Sequence, residues 1–302
     1  VAVATISTTV TPGVFPEFLF LAASAAILGG LLRSVMLDRN DPLILALVAL
    51  LLWLFADLAV AVGWQEIVVA LGVTFLFGYI SFALETASIP GMLTGVFLSL
   101  LAVVLGGYGW FVVLLAFFGI GGLSTKYRYT EKLRRGVAEP NEGARGTGNV
   151  LGNSMAALVA LLLFAAHTRT PIPGQAFALA FAGSIGTALA DTLSSEIGGL
   201  YDRPRLITNL AAVEPGTDGG VTWQGEVAGL VGAALIGLLS FVLLDVGTVG
   251  IGIVVLAGFA GMTADSLAGA TIEGHLIGNQ AVNFIATSVG AVTGGLLYLL
   301  LV

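Results

Sequence analysis

Apolar residues run along this chain in long unbroken blocks, at about 14–33, 43–63, 66–84, 91–106, 108–124, 149–167, 174–192, 225–245, 247–266 and 282–302. Each block is close to the roughly 20 residues with which an α-helix crosses the hydrocarbon core of a bilayer. Strands of a membrane barrel would alternate apolar and polar positions instead. The pattern therefore predicts an all-α, polytopic helical membrane protein with about ten transmembrane helices. Residues 1–302 form a single transmembrane domain, in which 1–84 reads as generic N-terminal helices. Residues 85–302 read as a core that carries polar connections at 124–148, 192–223 and 267–281.

The side on which those connections lie follows from the basic residues. Arg33 and Arg39 follow the first block. Lys126, Arg128, Lys132, Arg134, Arg135 and Arg145 follow the fifth, and Arg203 and Arg205 follow the seventh. All three are odd-numbered connections, so they share a side, and the positive-inside rule makes that side cytoplasmic. Arg169 is the one basic residue expected on the other face. The first 16 residues have no basic n-region, so the first block is expected to remain as a span rather than serve as a secretory signal.

Composition narrows the chemistry. With 57% hydrophobic and 10% charged residues, the chain is too poor in polar groups to cover a soluble fold. It has no cysteine and only two histidines, His167 and His275. Metal sites built on thiolates or several imidazoles are thereby excluded, and any bound cation must be held by oxygen, which favours magnesium, manganese or calcium. Acids outnumber bases 18 to 11, a balance that offers nucleic acid no partner and fits acid-rich loops.

The densest polar stretch runs from Asp191 to Thr222, between two apolar blocks. Polar groups next to hydrocarbon are kept where they are solvated, paired or functional. Asp191 and Asp265 each stand at the cytoplasmic end of a block beside Ser or Thr. A carboxylate at a helix C-terminus opposes the helix dipole, so a role as magnesium ligands is weighed above an ordinary helix-end charge. Asp191, Ser194 and Ser195 share a face if the helix continues, with Glu196 a third of a turn further round; this serves metal or phosphate, or is simply an interfacial turn. Thr217, Asp218, Gly219, Gly220 and Thr222 form a glycine-rich turn before a helix start. Its N–H groups can approach a phosphate, although it lacks the Gly-Lys-Ser/Thr ending of a Walker A loop. Among the basic residues, Lys126, Arg128 and Arg145 are candidates for phosphate contact, Arg145 above all for its forked guanidinium; the competing role is to fix topology alone.

Asn149 and Asn153, and again Asn279 and Asn283, open two blocks in a shared Gly-Asn-x-x-x-Asn pattern that places both amides on one helix face. They serve a ligand or glue helices together. The pattern belongs to a weak internal repeat: Gly119 to Asn153 resembles Gly258 to Asn283, and Ala190-Asp191-Thr-Leu matches Ala264-Asp265-Ser-Leu. Both copies start on the same side, so the repeat is parallel. His275 reads as an interfacial residue, and His167 falls on the opposite side.

Together, Gly148-Asn-Val-Leu-Gly-Asn153, Ala190-Asp191-Thr-Leu-Ser-Ser-Glu196-Ile-Gly and Pro215-Gly-Thr-Asp218-Gly-Gly-Val-Thr222, preceded by Ser124-Thr-Lys126 and its basic loop, resemble the integral membrane proteins of domain-of-unknown-function family 92. The resemblance runs from about residue 70 to the C-terminus. The family includes the plant phytyl phosphate kinase of tocopherol synthesis. The resemblance implies a nucleotide-dependent kinase that converts an isoprenyl monophosphate lipid to the diphosphate at the cytoplasmic membrane face, with CTP or another nucleoside triphosphate as donor and Mg2+ as cofactor. Taken with the internal repeat, which adds Asp265, it points to catalytic roles for Asp191, Glu196, Asp218 and Asp265, with Asp191, Asp265 and Glu196 on the metal. Asp218 departs from the family, which carries Asn or other residues there. A phosphate monoester is already an anionic nucleophile, so positioning and charge neutralisation are what such a site must supply. A CDP-lipid-forming cytidylyltransferase uses the same parts, and a small-molecule transporter is the rival from another class. An assembly of identical copies is compatible with the sequence.

Overall fold

The computed structural model describes residues 15–36, 41–58, 60–139 and 143–302; Arg39 and the N-terminal segment 1–14 lie outside them. Each of the ten apolar blocks is a helix. In chain order these are α1 (Phe15–Val35), α2 (Asp41–Asp57), α3 (Trp64–Ala83), α4 (Ile89–Leu101), α5 (Tyr108–Lys126), α7 (Thr147–Ala165), α8 (Gly174–Gly198), α9 (Trp223–Leu243), α10 (Gly247–Thr271) and α11 (Asn279–Leu301). A short helix in the basic loop, α6 (Tyr129–Arg135), was not expected from hydropathy, and α4 closes in a π turn over Ala102–Gly106. Among the described residues nine helices are long and apolar enough to cross a membrane. The exception is α2, whose 17 residues fall just short.

The α3–α4 turn is hydrogen-bonded to the α5–α7 connection through Thr86, Ser88 and Arg145, and the α5–α7, α8–α9 and α10–α11 connections line one cavity, so these four connections share one side, as the basic residues of the α5–α7 and α8–α9 connections predict. On the other side, Arg169 donates to the Asp57 carboxylate at 2.6 Å. The lone basic residue of that face and the acid at the end of α2 thus hold each other, and α2 is tied to the α7–α8 turn.

The most buried helix is α8, which packs against α5, α7, α9, α10 and α11. Its residues Ala176 to Ala190 are mostly small, and this lets neighbouring backbones come close. A Cβ added to Gly183 would sit 2.5 Å from the Gly290 carbonyl oxygen, and one on Gly294 2.3 Å from that of Leu179. Thr187 Oγ1, packed in the same seam, donates to the carbonyls of Gly183 (2.9 Å) and Ala257 (3.2 Å), so α8 also grips α10. Gly294→Ala is expected to cost about 1–3 kcal/mol by prising α8 from α11. Gly119→Ala, where an added methyl group meets nothing within 4 Å, is expected to be neutral; thermal midpoints of the two purified variants compare them.

Two local devices shape the loops on the shared side. Residues 199–222 fold back through a two-stranded clip, β1 (Arg205–Leu206) against β2 (Gly220–Val221). Thr222 then caps α9, its Oγ1 accepting from the Gly225 N–H at 3.2 Å. The segment before α7 is pinned to the α3–α4 turn, because the Arg145 N–H donates to Thr86 O (2.9 Å) and the Ser88 N–H donates to Arg145 O (3.1 Å).

Candidate active site

Three helices, α7, α9 and α11, begin around one cavity, while α5, α8 and α10 end there. The cavity has a volume of about 860 Å3. Helix N-termini carry partial positive charge and free N–H groups, so this arrangement suits an anionic ligand.

Asp191 and Asp265 were expected to close their helices, and here the structure differs. Helix α8 continues to Gly198 and α10 to Thr271, so both acids stand inside the final turns. The polar run after Asp191 conceals this from hydropathy, yet Leu193 and Glu196 keep a buried face on the helix. The two carboxyl groups come within hydrogen-bonding reach of each other from separate helices. Asp265 Oδ1 is buried and has no hydrogen-bond partner among the described residues. Facing carboxylates repel unless a proton or a cation lies between them.

Beside this pair lie Ser194, Ser195 and Glu196 from α8, Thr217 to Gly220 with Thr222 from the glycine turn, and the asparagines of both repeats, Asn149, Asn153, Asn279 and Asn283. Gly219 has φ +74°, and an added Cβ there would sit 2.6 Å from the Ser266 carbonyl oxygen; only glycine lets this turn rest on α10. Several of these groups also hold the scaffold. Ser195 Oγ donates to the Asp191 carbonyl at 3.0 Å, Thr217 Oγ1 to that of Glu214 at 2.7 Å, and Asn153 Nδ2 to that of Asn149 at 3.0 Å. Their remaining lone pairs and protons are what a ligand could use.

Arg145 lies on the wall of the cavity with its guanidinium 4.8 Å above the Phe117 ring. Its Nη1 is buried and has no hydrogen-bond partner among the described residues. Burial lowers its pKa, while Glu139 and Glu196 oppose that shift; an arginine keeps its charge regardless. The side chain is therefore a poised donor.

The other two basic candidates stand elsewhere. Lys126 and Arg128 are not in the cavity wall: Lys126 Nζ donates to the Leu84 carbonyl at 2.9 Å, and Arg128 pairs with Glu131 on α6. Both sit at the turn that redirects the chain from α5 into α6, where Arg128 adopts a left-handed conformation. His275 is likewise outside the cavity wall, and His167 stacks on Phe164 at the opposite side.

Glu196 has a partner that the sequence did not single out. Lys132, 1% exposed, reaches from α6 to the Glu196 carboxylate, which is 5% exposed, at 2.5 Å. The same ammonium donates to the carbonyls of Ser124 (2.9 Å) and Thr125 (2.7 Å). A residue read as a topology marker is thus a buried clamp on α5, α6 and α8, and one Glu196 oxygen is committed to it. Glu139, Glu273 and Gln280 also line the cavity without having been foreseen. Burial raises the pKa of Glu273 first and the charge of Asp218 second, while a hydrogen bond with Asn279 lowers it. Its place two residues past a helix end, in the loop joining α10 to α11, is the one signal that could have marked it.

A family model described as "Integral membrane protein DUF92" matches residues 72–291. The membrane protein MJ0933 of Methanocaldococcus jannaschii is 38% identical over 196 residues, 64% of this chain and 77% of that protein. The membrane protein sll0875 of Synechocystis is 34% identical over 192 residues, covering 61% and 72%. Protein VTE6 of Arabidopsis thaliana, a chloroplastic protein, is 31% identical over 191 residues, covering 62% of this chain and 57% of its own length. No solved structure matches.

Proposed function

The chain belongs to the DUF92 family of integral membrane proteins, and we propose that it is a nucleotide-dependent kinase of isoprenyl monophosphates. The observation that carries this reading is the Asp191–Asp265 pair, brought from two helices to face each other in a cavity that also contains the glycine turn and Arg145. Motif resemblance to a family with a phytyl phosphate kinase supports the substrate class.

A magnesium ion fits the donor set, because such an ion takes one or two carboxylates and completes its shell with phosphate oxygens and water. Among the described residues no group of three or more acids and histidines converges on one point, so an ion here would have only these two carboxylates from the protein. Asp191 and Asp265 would hold the ion, which supplies neutralisation of the charge between transferring phosphates. Asp265 Oδ1, buried and unpartnered, is the atom such an ion would satisfy.

The chain's own groups then perform the positioning. The N–H of Gly219 and the free N–H groups at the start of α9 bind the nucleotide phosphates, while the Gly220 N–H closes the turn on the Thr217 carbonyl, and Arg145 holds the lipid monophosphate in line with them. A phosphate oxygen of the lipid attacks the terminal phosphorus of the nucleotide. The bond from that phosphorus to the bridging oxygen breaks, and a nucleoside diphosphate leaves with the electron pair. The isoprenyl tail lies between helices, and the cavity faces the cytoplasm in accord with its basic loops.

Arg145→Lys and Arg145→Ala are both expected to lower kcat/KM for the lipid phosphate by about 10- to 100-fold, since an ammonium lacks the fork that engages two oxygens. Steady-state kinetics at saturating nucleotide measure this. The reading as a whole is tested with purified protein, geranylgeranyl and phytyl phosphates, and nucleotides labelled at the α or γ phosphate. A kinase places γ label in a lipid diphosphate and releases nucleoside diphosphate. Transfer of α label with release of pyrophosphate would identify a cytidylyltransferase, and counterflow in sealed vesicles without nucleotide would identify a transporter.

A further inference from the structure

Arg145 is held in place without an ion pair. Glu139 and Glu196 are near enough to act on its charge, yet among the described residues it forms no salt bridge. Packing holds the guanidinium instead. Phe117 of α5 lies under it, and Gly121, about one turn further along the same helix, closes the slot with bare backbone. A Cβ built on Gly121 would lie 2.7 Å from Arg145 Nη2 and 3.5 Å from Arg145 Cζ, with Thr192 Cγ2 of α8 also at 3.5 Å. A guanidinium that stacks on a ring keeps its N–H groups for other partners, whereas a facing carboxylate would occupy two of them.

The backbones on either side of this slot are anchored. The Arg145 N–H and carbonyl are both engaged by the α3–α4 turn, through Thr86 O at 2.9 Å and the Ser88 N–H at 3.1 Å. A Cβ on Gly91 of α4 would overlap that same carbonyl oxygen. On α5, the Gly121 carbonyl accepts from Ser124 Oγ (2.7 Å) and Thr125 Oγ1 (3.0 Å), and the carbonyls of Ser124 and Thr125 accept in turn from the buried Lys132 ammonium. A methyl group added at position 121 therefore meets the tip of a long side chain between two fixed backbones, and the tip is the part that yields.

We propose that Gly121 is a positioning residue of the site. It stands behind the cavity wall rather than in it and acts through Arg145, setting where the guanidinium meets the phosphate of the lipid. This rests on the reading of Arg145 as the group that holds the lipid monophosphate.

The experiment measures the affinity of the purified protein in detergent for geranylgeranyl phosphate and for the uncharged geranylgeraniol, in wild type, Gly121→Ala, Arg145→Ala and the double variant. Gly119→Ala, on the same helix with nothing within 4 Å of the added methyl group, is the control. Gly121→Ala is expected to weaken the phosphate by about 10-fold, the scale of one charge-assisted hydrogen bond, and to leave the alcohol and the thermal midpoint unchanged. In the Arg145→Ala background the same substitution is expected to cost nothing more, because residues that act through one another are not additive. Phe117→Leu, which thins the opposite wall of the slot, is expected to weaken the phosphate selectively as well. Equal weakening of phosphate and alcohol by Gly121→Ala, or a loss repeated in full without Arg145, would reveal a packing role and overturn the proposal. Wild-type affinity in Gly121→Ala and Phe117→Leu, with Arg145→Ala impaired, overturns it too and leaves the kinase reading standing. A wild type that binds the phosphate no better than the alcohol overturns both.

Discussion

Asp191→Asn is expected to lower kcat/KM by about 10²–10³-fold, the scale seen when one preorganised electrostatic contact to a transition state is removed, while leaving the protein folded. The two halves of that expectation have the same cause. Asp191 faces Asp265, and among the described residues neither forms a salt bridge, so in the metal-free protein the pair is a liability. Replacing one carboxylate by an amide of equal size relieves like-charge contact and supplies a donor to Asp265 Oδ1, which is buried and unpartnered. The thermal midpoint should therefore stay level or rise without metal, even as turnover collapses. An acid kept for structure would behave in the opposite way, with the midpoint falling and turnover following only in proportion. Purified variants assayed for label transfer and for unfolding separate the two cases, and wild-type turnover would remove Asp191 from the mechanism. Asp265→Asn is expected to match it.

The largest loss of stability is expected at Lys132. Lys132→Met strands the Glu196 carboxylate and leaves the carbonyls of Ser124 and Thr125, in the last turn of α5, without their donor. Removing one partner of a buried ion pair costs about 3–5 kcal/mol, whereas replacing both with apolar groups of similar volume is often neutral. Lys132→Met combined with Glu196→Leu should accordingly recover most of what the single variant loses, apart from the two carbonyls. Arg134→Met, in the same basic run but exposed, is expected to change stability little. Unfolding of the four proteins in one detergent tests this, and a single variant as stable as wild type would show that α6 is not held by this pair. Because the loop from α6 to α7 carries Glu139 and Arg145 to the cavity, the clamp also bears on activity.

Hydropathy revealed the helices because a run of apolar side chains long enough to cross a bilayer has few other uses. It lost the ends of α8 and α10 because polar residues there continue a helix whose buried face is carried by Leu193 and Glu196, and for α10 by Ala268 and Gly269. The convergence of Asp191 and Asp265 was readable only through the repeat, which placed Ala-Asp-Thr-Leu and Ala-Asp-Ser-Leu at equivalent helix depths. Lys132 was opaque for a different reason. Burial of a charge depends on the partner that folding brings, and nothing in Lys132-Leu-Arg134-Arg135 distinguishes the residue turned inward from those turned to water. Arg169 and Asp57 each looked anomalous alone, and 112 positions of separation concealed that they answer one another. Lys126 and Arg128, which seemed suited to phosphate, instead fasten the chain reversal after α5.

The account depends on segments far apart in sequence forming one pocket for a nucleotide and its cation. Since the chain contains no cysteine, that pocket can be probed with single cysteines placed at Ser195 on α8, Thr217 in the glycine turn and Gln280 on α11, all of which line it. A fourth at Leu210, outside the cavity wall, is the control. The measurement is the rate of maleimide labelling of each, with and without magnesium and a non-hydrolysable nucleotide. The account predicts that the ligand slows labelling at all three cavity positions together and leaves Leu210→Cys unchanged. Protection confined to one position, or to none, would contradict it.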